Sequence, residues 1–383
     1  MEGDPFDDLR PYRDAEIAPA MRRVVGDPLF PALSSFVYPG RDVEEVKAMI
    51  RGYTTVDQFQ AGAMSAFVER VIARSISRFS CTGLDGLDPG ERYLFVSNHR
   101  DIVLDSSLLQ YALHRAGHRT TEISFGSNLM TSPLAVDIGK SNKMFTLLRG
   151  GNARELPARS RHLSAYIRHA LLEKRESVWI AQRNGRAKDG RDVTERGIIK
   201  MFRMSAPGDP VDALAALRVV PVSVSYQWEP CDALKAMEVY RFSRAGSYTK
   251  RPGEDLESIL AGITRPKGEV HLHAGTPLSR DALAPLAALP GNAFNARVAA
   301  LVDEQVTGNY RLTCNNYIAH DLRSSSGRHA GRYTPGEREA FIRHYRAALP
   351  AGVEDRALLE DIFLGIYANP VDARERLERG RDT

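Results

Sequence analysis

Phe95-Val-Ser-Asn-His-Arg-Asp-Ile-Val-Leu-Asp105 decides how this chain is read. On its N-terminal side, Arg92 to Ser97 is apolar and aromatic and follows the turn sequence Asp85-Gly-Leu-Asp-Pro-Gly90, which predicts a short buried strand. On its C-terminal side, Leu104, Leu108, Leu109 and Leu113 recur at roughly one-turn spacing and predict a helix. His99 therefore falls on a strand-to-helix turn, where a parallel sheet displays its chemistry. Asp101 and Asp105 lie within six residues of it. An imidazole beside a carboxylate can take a proton while the carboxylate fixes its tautomer and stabilises the cation. Such pairs are common by chance, so the rest of the chain has to decide.

Outward from that turn, strands alternate with helices. Strands are expected at Thr121–Phe125, Ser177–Gln182, Arg218–Tyr226 and Gly268–Gly275, with an apolar stretch at Met144–Leu148 and a helix at Ser160–Lys174. Pro221 marks its strand as an edge or a bulge. This alternation predicts an α/β domain over 83–278, a mixed, largely parallel sheet flanked by helices. Residues 1–82 read as a helical N-terminal region, with helices at Val43–Tyr53 and Val56–Phe79. Residues 279–383 read as a helical C-terminal region, with helices near 292–308, 335–348 and 354–367. The Val56–Phe79 pattern carries an apolar stripe (Phe67, Val68, Val71, Ile72, Ile76, Phe79) and a basic repeat at Arg70, Arg74 and Arg78. That combination suits an anionic membrane surface or packing on the neighbouring domain.

Composition narrows the class. The 383 residues are 43% hydrophobic and 26% charged, as in ordinary soluble proteins. Cys81, Cys231 and Cys314 are scattered and odd in number, which suggests a reducing compartment and no structural zinc. No signal peptide is visible, and no apolar run approaches the roughly 20 residues of a membrane span. Net charge is +4, yet residues 149–203 hold 14 Lys and Arg against 6 Asp and Glu, a local +8. Such a field next to a candidate site points to an anionic partner.

Two motifs are decoys. Gly139-Lys-Ser lacks the P-loop glycine five residues earlier, where Leu134 stands. His99-Arg-Asp resembles a kinase catalytic loop, but Ser106 occupies the place of the metal-binding Asn.

Asn98-His-Arg with Asp105 instead resembles the His-and-Asp motif of the glycerol-3-phosphate and lysophosphatidate acyltransferases. Three further stretches resemble the family's other blocks, in order. They are Phe145-Thr-Leu-Leu-Arg149, Arg183-Asn-Gly-Arg-Ala-Lys-Asp-Gly190 and Val220-Pro-Val-Ser-Val-Ser-Tyr226. The family separates His from Asp by four residues, which here would select Leu104; Asp105 is one further on, and Asp101 is the rival partner. The family's third block usually carries a Glu before its Gly, and this chain has Arg183 and Asn184 there.

The resemblance implies an acyltransferase of phospholipid synthesis, with His99 as general base and Asp105 or Asp101 as its partner. Arg149, Arg183, Gly185, Arg186 and Lys188 would bind the acceptor phosphate. The donor would be acyl-CoA or an acyl-carrier protein thioester; the acceptor, glycerol-3-phosphate or 1-acylglycerol-3-phosphate. No bound cofactor and no metal is expected. The enzyme would work in the cytoplasm, or as a peripheral protein on the inner face of the cell membrane. The reading from a different class is a non-catalytic protein that binds anionic lipid or nucleic acid through residues 149–203. A thioesterase is disfavoured, since no Gly-x-Ser-x-Gly turn occurs.

Overall fold

The computed structural model describes residues 4–148 and 154–381. Its centre is a seven-stranded sheet ordered β1-β7-β6-β2-β5-β3-β4. The strands are β1 Ile76–Thr82, β2 Leu94–Ser97, β3 Glu122–Gly126, β4 Met144–Leu147, β5 Val178–Ala181, β6 Val219–Tyr226 and β7 Gly268–Ala274. Every neighbouring pair is parallel except β6 with β7. The expected mixed, largely parallel α/β architecture is therefore the one observed, with helical N- and C-terminal regions.

The centre of the sheet is buried on both faces, so β2, β5 and β6 are mostly apolar. Side chains alternate between the faces. Leu94 and Val96 of β2 join Val178, Ile180 and Val219 in one cluster, covered by Ile167, Phe202 and Val302. Phe95 joins Trp179, Val220 and Val222 in the other, covered by Leu104, Leu108, Val68 and Val71. β2 lies in the middle, bonded to β5 on one side and β6 on the other. Because β2, β3, β4, β5 and β6 all run the same way, the segments that follow them leave from one edge of the sheet.

Three local expectations are corrected. The segment 56–79 is not one helix: it is Val56–Phe59, a π-turn at Gln60–Met64, a helix Ser65–Ser75, and then β1. Ile72, Ile76 and Phe79 fit helical spacing, but β7 offers Ile76–Thr82 a parallel ladder that outweighs local preference. The apolar stripe is used internally, with Val68 and Val71 buried against the sheet. Second, Pro221 stands in an interior strand. Its nitrogen faces the β7 side, where the ladder begins only at Val222–Ala274, so no ladder donor is lost there. Third, the C-terminal region contains a helix at Cys314–Arg323 that the sequence reading passes over, and its last helix runs much further, over Arg356–Arg381.

Candidate active site

β2 ends at Ser97, and the chain turns through 98–103 into the helix Leu104–Arg115. Asn98 fixes the start of this turn. Its amide Nδ2 donates to the Val224 carbonyl at 3.0 Å and to Asp192 at 3.0 Å, while its Oδ1 accepts from Val224 N at 2.7 Å. Asp101 fixes the other end: its Oδ1 accepts from Val103 N and Leu104 N, both at 2.9 Å, and so caps the helix.

Between them, His99 Nδ1 lies 2.9 Å from Asp105 Oδ2. That carboxylate also accepts from Arg100 N at 2.6 Å, Asp101 N at 2.9 Å and the Tyr226 hydroxyl at 2.8 Å. Four donors converge on one buried side chain, so its position is over-determined. The bend at 101–103 takes up the extra residue in the His-to-Asp spacing. Asp105, on the first turn of its helix, reaches the imidazole, whereas Asp101 is turned toward the helix amides. The ring of Trp179 stands edge-on to His99, 6.1 Å between centroids, and its indole N–H is held by Ser97 at 3.0 Å. His99 Nε2 has no hydrogen-bond partner among the described residues.

Burial, then the negative charge of Asp105, pushes the Tyr226 phenol well above its ordinary pKa, so it stays a donor. Burial, then the same charge, raises the Asp101 carboxyl. Asp101 Oδ2 is buried without a hydrogen-bond partner among the described residues, and Gly262 of the helix Glu254–Thr264 passes so close that a Cβ there would sit 2.2 Å from it.

The loop after β5 joins the site through its backbone: Ala187 N donates to the His99 carbonyl at 2.7 Å. Gly185 has φ +82°, a left-handed conformation that suits glycine. Arg183 Nε and Arg186 Nη1 are buried and lack hydrogen-bond partners among the described residues. A buried guanidinium nitrogen without an acceptor costs stability unless an anion arrives. Lys188 differs, since its ammonium is paired with Glu238. Arg149 lies outside the described residues.

The loop rests on a buried charge network that sequence reasoning missed. Arg100 is fully buried and bonded to Asp192 at 2.6 Å, Glu229 at 3.2 Å and the Gly190 carbonyl at 3.2 Å. Lys235 bonds Glu229 and the Arg100 carbonyl, each at 2.5 Å. Burial works against the Arg100 cation, but Asp192 and Glu229 more than offset it, and its pKa lies well above the ordinary value. Arg100 sits inside the quoted motif, so the signal was present. Its partners, 92 and 129 residues away, gave none.

Several side chains of this basic segment are engaged within the protein. Lys174 pairs with Glu122 and Arg159 with Glu155, while Arg168 donates to the Ala213 carbonyl and Arg203 to Asn295.

The acyltransferase family model matches residues 78–225, from β1 to the penultimate residue of β6, which include the His99 turn and the 183–191 loop. This stretch is an acyltransferase domain. The acyltransferase is similar to a solved structure, that of the 1-acyl-sn-glycerophosphate (LPA) acyltransferase PlsC from Thermotoga maritima. The two share 13% identity at a TM-score of 0.35, over 77% of this chain and 97% of that one. No curated protein matches the sequence.

Proposed function

We propose that this acyltransferase moves a fatty acyl group from a thioester to the hydroxyl of glycerol-3-phosphate or 1-acylglycerol-3-phosphate, with His99 as the general base. The observation that carries this reading is the His99–Asp105 pair, whose geometry leaves Nε2 as the one ring nitrogen open to a substrate hydroxyl. In this scheme Nε2 takes the hydroxyl proton as the oxygen attacks the thioester carbonyl carbon. The tetrahedral adduct then collapses, the C–S bond breaks, and the imidazolium returns its proton to the departing thiolate. Asp105 holds the ring in the tautomer with hydrogen on Nδ1 and stabilises the transient cation. No enzyme-bound acyl intermediate is required.

Arg183 and Arg186 are assigned to the acceptor phosphate. Their unpartnered buried nitrogens support this assignment, and guanidinium groups suit bidentate phosphate binding. Lys188 is a weaker candidate, because Glu238 already holds it. Arg149 is retained as a proposed ligand from its place in the sequence, two residues after the end of β4. Among the described residues no helix is long and apolar enough to cross a membrane. A lipid acceptor would then be met at a bilayer surface.

The test is thiol release from an acyl-CoA and from an acyl-carrier protein thioester, each with either acceptor or none, with the lipid product identified. Release that requires one acceptor and yields its acylated product supports the reading. Hydrolysis to free fatty acid regardless of acceptor would contradict it.

A further inference from the structure

Far along the chain from His99, three side chains of the C-terminal region converge. His320 belongs to the helix Cys314–Arg323, His329 to the turn before the short 3-10 helix Ala330–Arg332, and Glu375 to the helix Arg356–Arg381. One ligand atom from each lies within 4.8 Å of the other two. The imidazole centroids are 4.8 Å apart with planes at 77°, and His329 Nε2 is 3.7 Å from Glu375 Oε1.

The decisive feature is what these nitrogens lack. His320 Nδ1 and His329 Nε2 are both buried and neither has a hydrogen-bond partner among the described residues. Two solvent-excluded imidazole nitrogens without a hydrogen bond, on rings whose centroids are 4.8 Å apart, are costly in a folded protein and call for a partner. We propose that His320, His329 and Glu375 form a binding site for a divalent metal of the zinc class. His₂-carboxylate sets suit that ion, with water in the fourth position.

The surroundings are built for ligation. The other ring nitrogen of His320, Nε2, lies 3.3 Å from Asp372 Oδ1. A carboxylate there orients the ring and leaves Nδ1 as the donor to metal. Asp321 accepts from His329 N at 3.0 Å and from the Tyr333 hydroxyl at 2.8 Å, so the turn that carries His329 is itself held. Bond lengths of about 2.0 Å in a tetrahedron put ligand atoms roughly 3.3 Å apart. The site must therefore contract by up to about 1.5 Å, through small shifts of the Glu375 side chain and of the turn that carries His329.

Without metal, Arg328 pairs with Glu375, and Arg379 lies 3.9 Å from its other oxygen. The Arg328 side chain is 55% exposed, so it can swing into solvent when a cation takes its place. Arg328 thus acts as a competitor at the site. The helix that carries Glu375 also backs the 183–191 loop, through Asn369, which donates to the Asp189 carbonyl at 2.6 Å. Metal binding would fasten this helix to its neighbour and leave the chemistry at His99 untouched.

The test uses the full chain stripped with a chelator and titrated with Zn²⁺ by calorimetry, with thermal melting and Co²⁺ absorption as independent readouts. Wild type should take up one ion per chain, melt higher with metal, and give ligand-field bands with Co²⁺. His329→Gln, at a surface turn, and the double variant His320→Ala/His329→Ala should lose that uptake while keeping a native circular dichroism spectrum. Asp372→Asn should weaken binding by about 10–100-fold, and Arg328→Gln should tighten it. No stoichiometric uptake by wild type, or uptake unchanged in His329→Gln, would overturn the proposal.

Discussion

The Tyr226 hydroxyl donates to Oδ1 of Asp105 across 2.8 Å, joining the last residue of β6 to the first turn of the helix behind His99. Oδ2 of the same carboxylate is 2.9 Å from His99 Nδ1. The first and fourth motif blocks are therefore one unit: the strand end holds the carboxylate, and the carboxylate holds the ring. Tyr226→Phe should remove one buried donor, lower stability by about 1–3 kcal/mol, and reduce kcat more than KM. Denaturant melts and steady-state kinetics check both.

The two candidate partners of His99 can be separated by isosteric changes. Asp105→Asn should cost about two or more orders of magnitude in kcat, in the range of general acid–base contributions. Asp101→Asn keeps an oxygen for the helix cap and should leave kcat within a few-fold. An equal loss in both would mean that Asp101 shares the proton chemistry.

Arg100 is predicted to be structural. Arg100→Met would leave Asp192 and Glu229 buried without their cation, and removing one partner of a buried pair costs about 3–5 kcal/mol. The variant should melt far below wild type. If its melting temperature is unchanged, the network contributes little to stability.

Gly190 has φ +77°, and a Cβ there would lie 2.1 Å from the Ile366 carbonyl oxygen of the last helix. Gly190→Ala cannot be accommodated by a side-chain shift, because the obstacle is backbone. It should lower stability by more than about 1 kcal/mol and raise KM for the acceptor, since the loop that carries Arg183 and Arg186 would move. A neutral outcome by melting and kinetics would contradict this coupling.

These residues also show what the sequence could carry. The strand pattern was legible because both faces of the sheet are buried, which writes apolar runs such as Val178–Ala181 directly into the chain. β1 was not legible, because Ile72, Ile76 and Phe79 satisfy helical spacing as well as they suit a strand, and only β7, nearly two hundred residues later, decides between them. His99 and both candidate carboxylates were legible as local chemistry. The choice between Asp101 and Asp105 depends on how the bend at 101–103 folds. The Arg100 network and the His320, His329 and Glu375 cluster were invisible, since their members are brought together only by tertiary packing.

Asp303 gives a pH signature. Burial raises its carboxyl to about 6, against the opposing hydrogen bonds from Thr194 N at 2.8 Å and Oγ1 at 2.6 Å. The unfolded value is about 3.9. Between those two values the native state keeps a proton that the unfolded chain has lost. This group therefore favours the fold below about pH 4 and loses that contribution as pH rises to about 6. Two pKa units correspond to roughly 2–3 kcal/mol. Asp303→Asn should flatten the pH dependence of stability over that window, as read by urea melts at several pH values. An unchanged slope would contradict the assignment.

The central claim is that His99 takes the acceptor proton. The direct measurement is single-turnover acyl transfer by wild type and by a folded His99→Ala variant, with saturating acceptor and across pH. The account predicts that the variant binds donor and acceptor normally while the transfer rate falls by about 10²–10⁴-fold and loses its dependence on imidazole ionisation. Transfer by His99→Ala within a few-fold of wild type would contradict it.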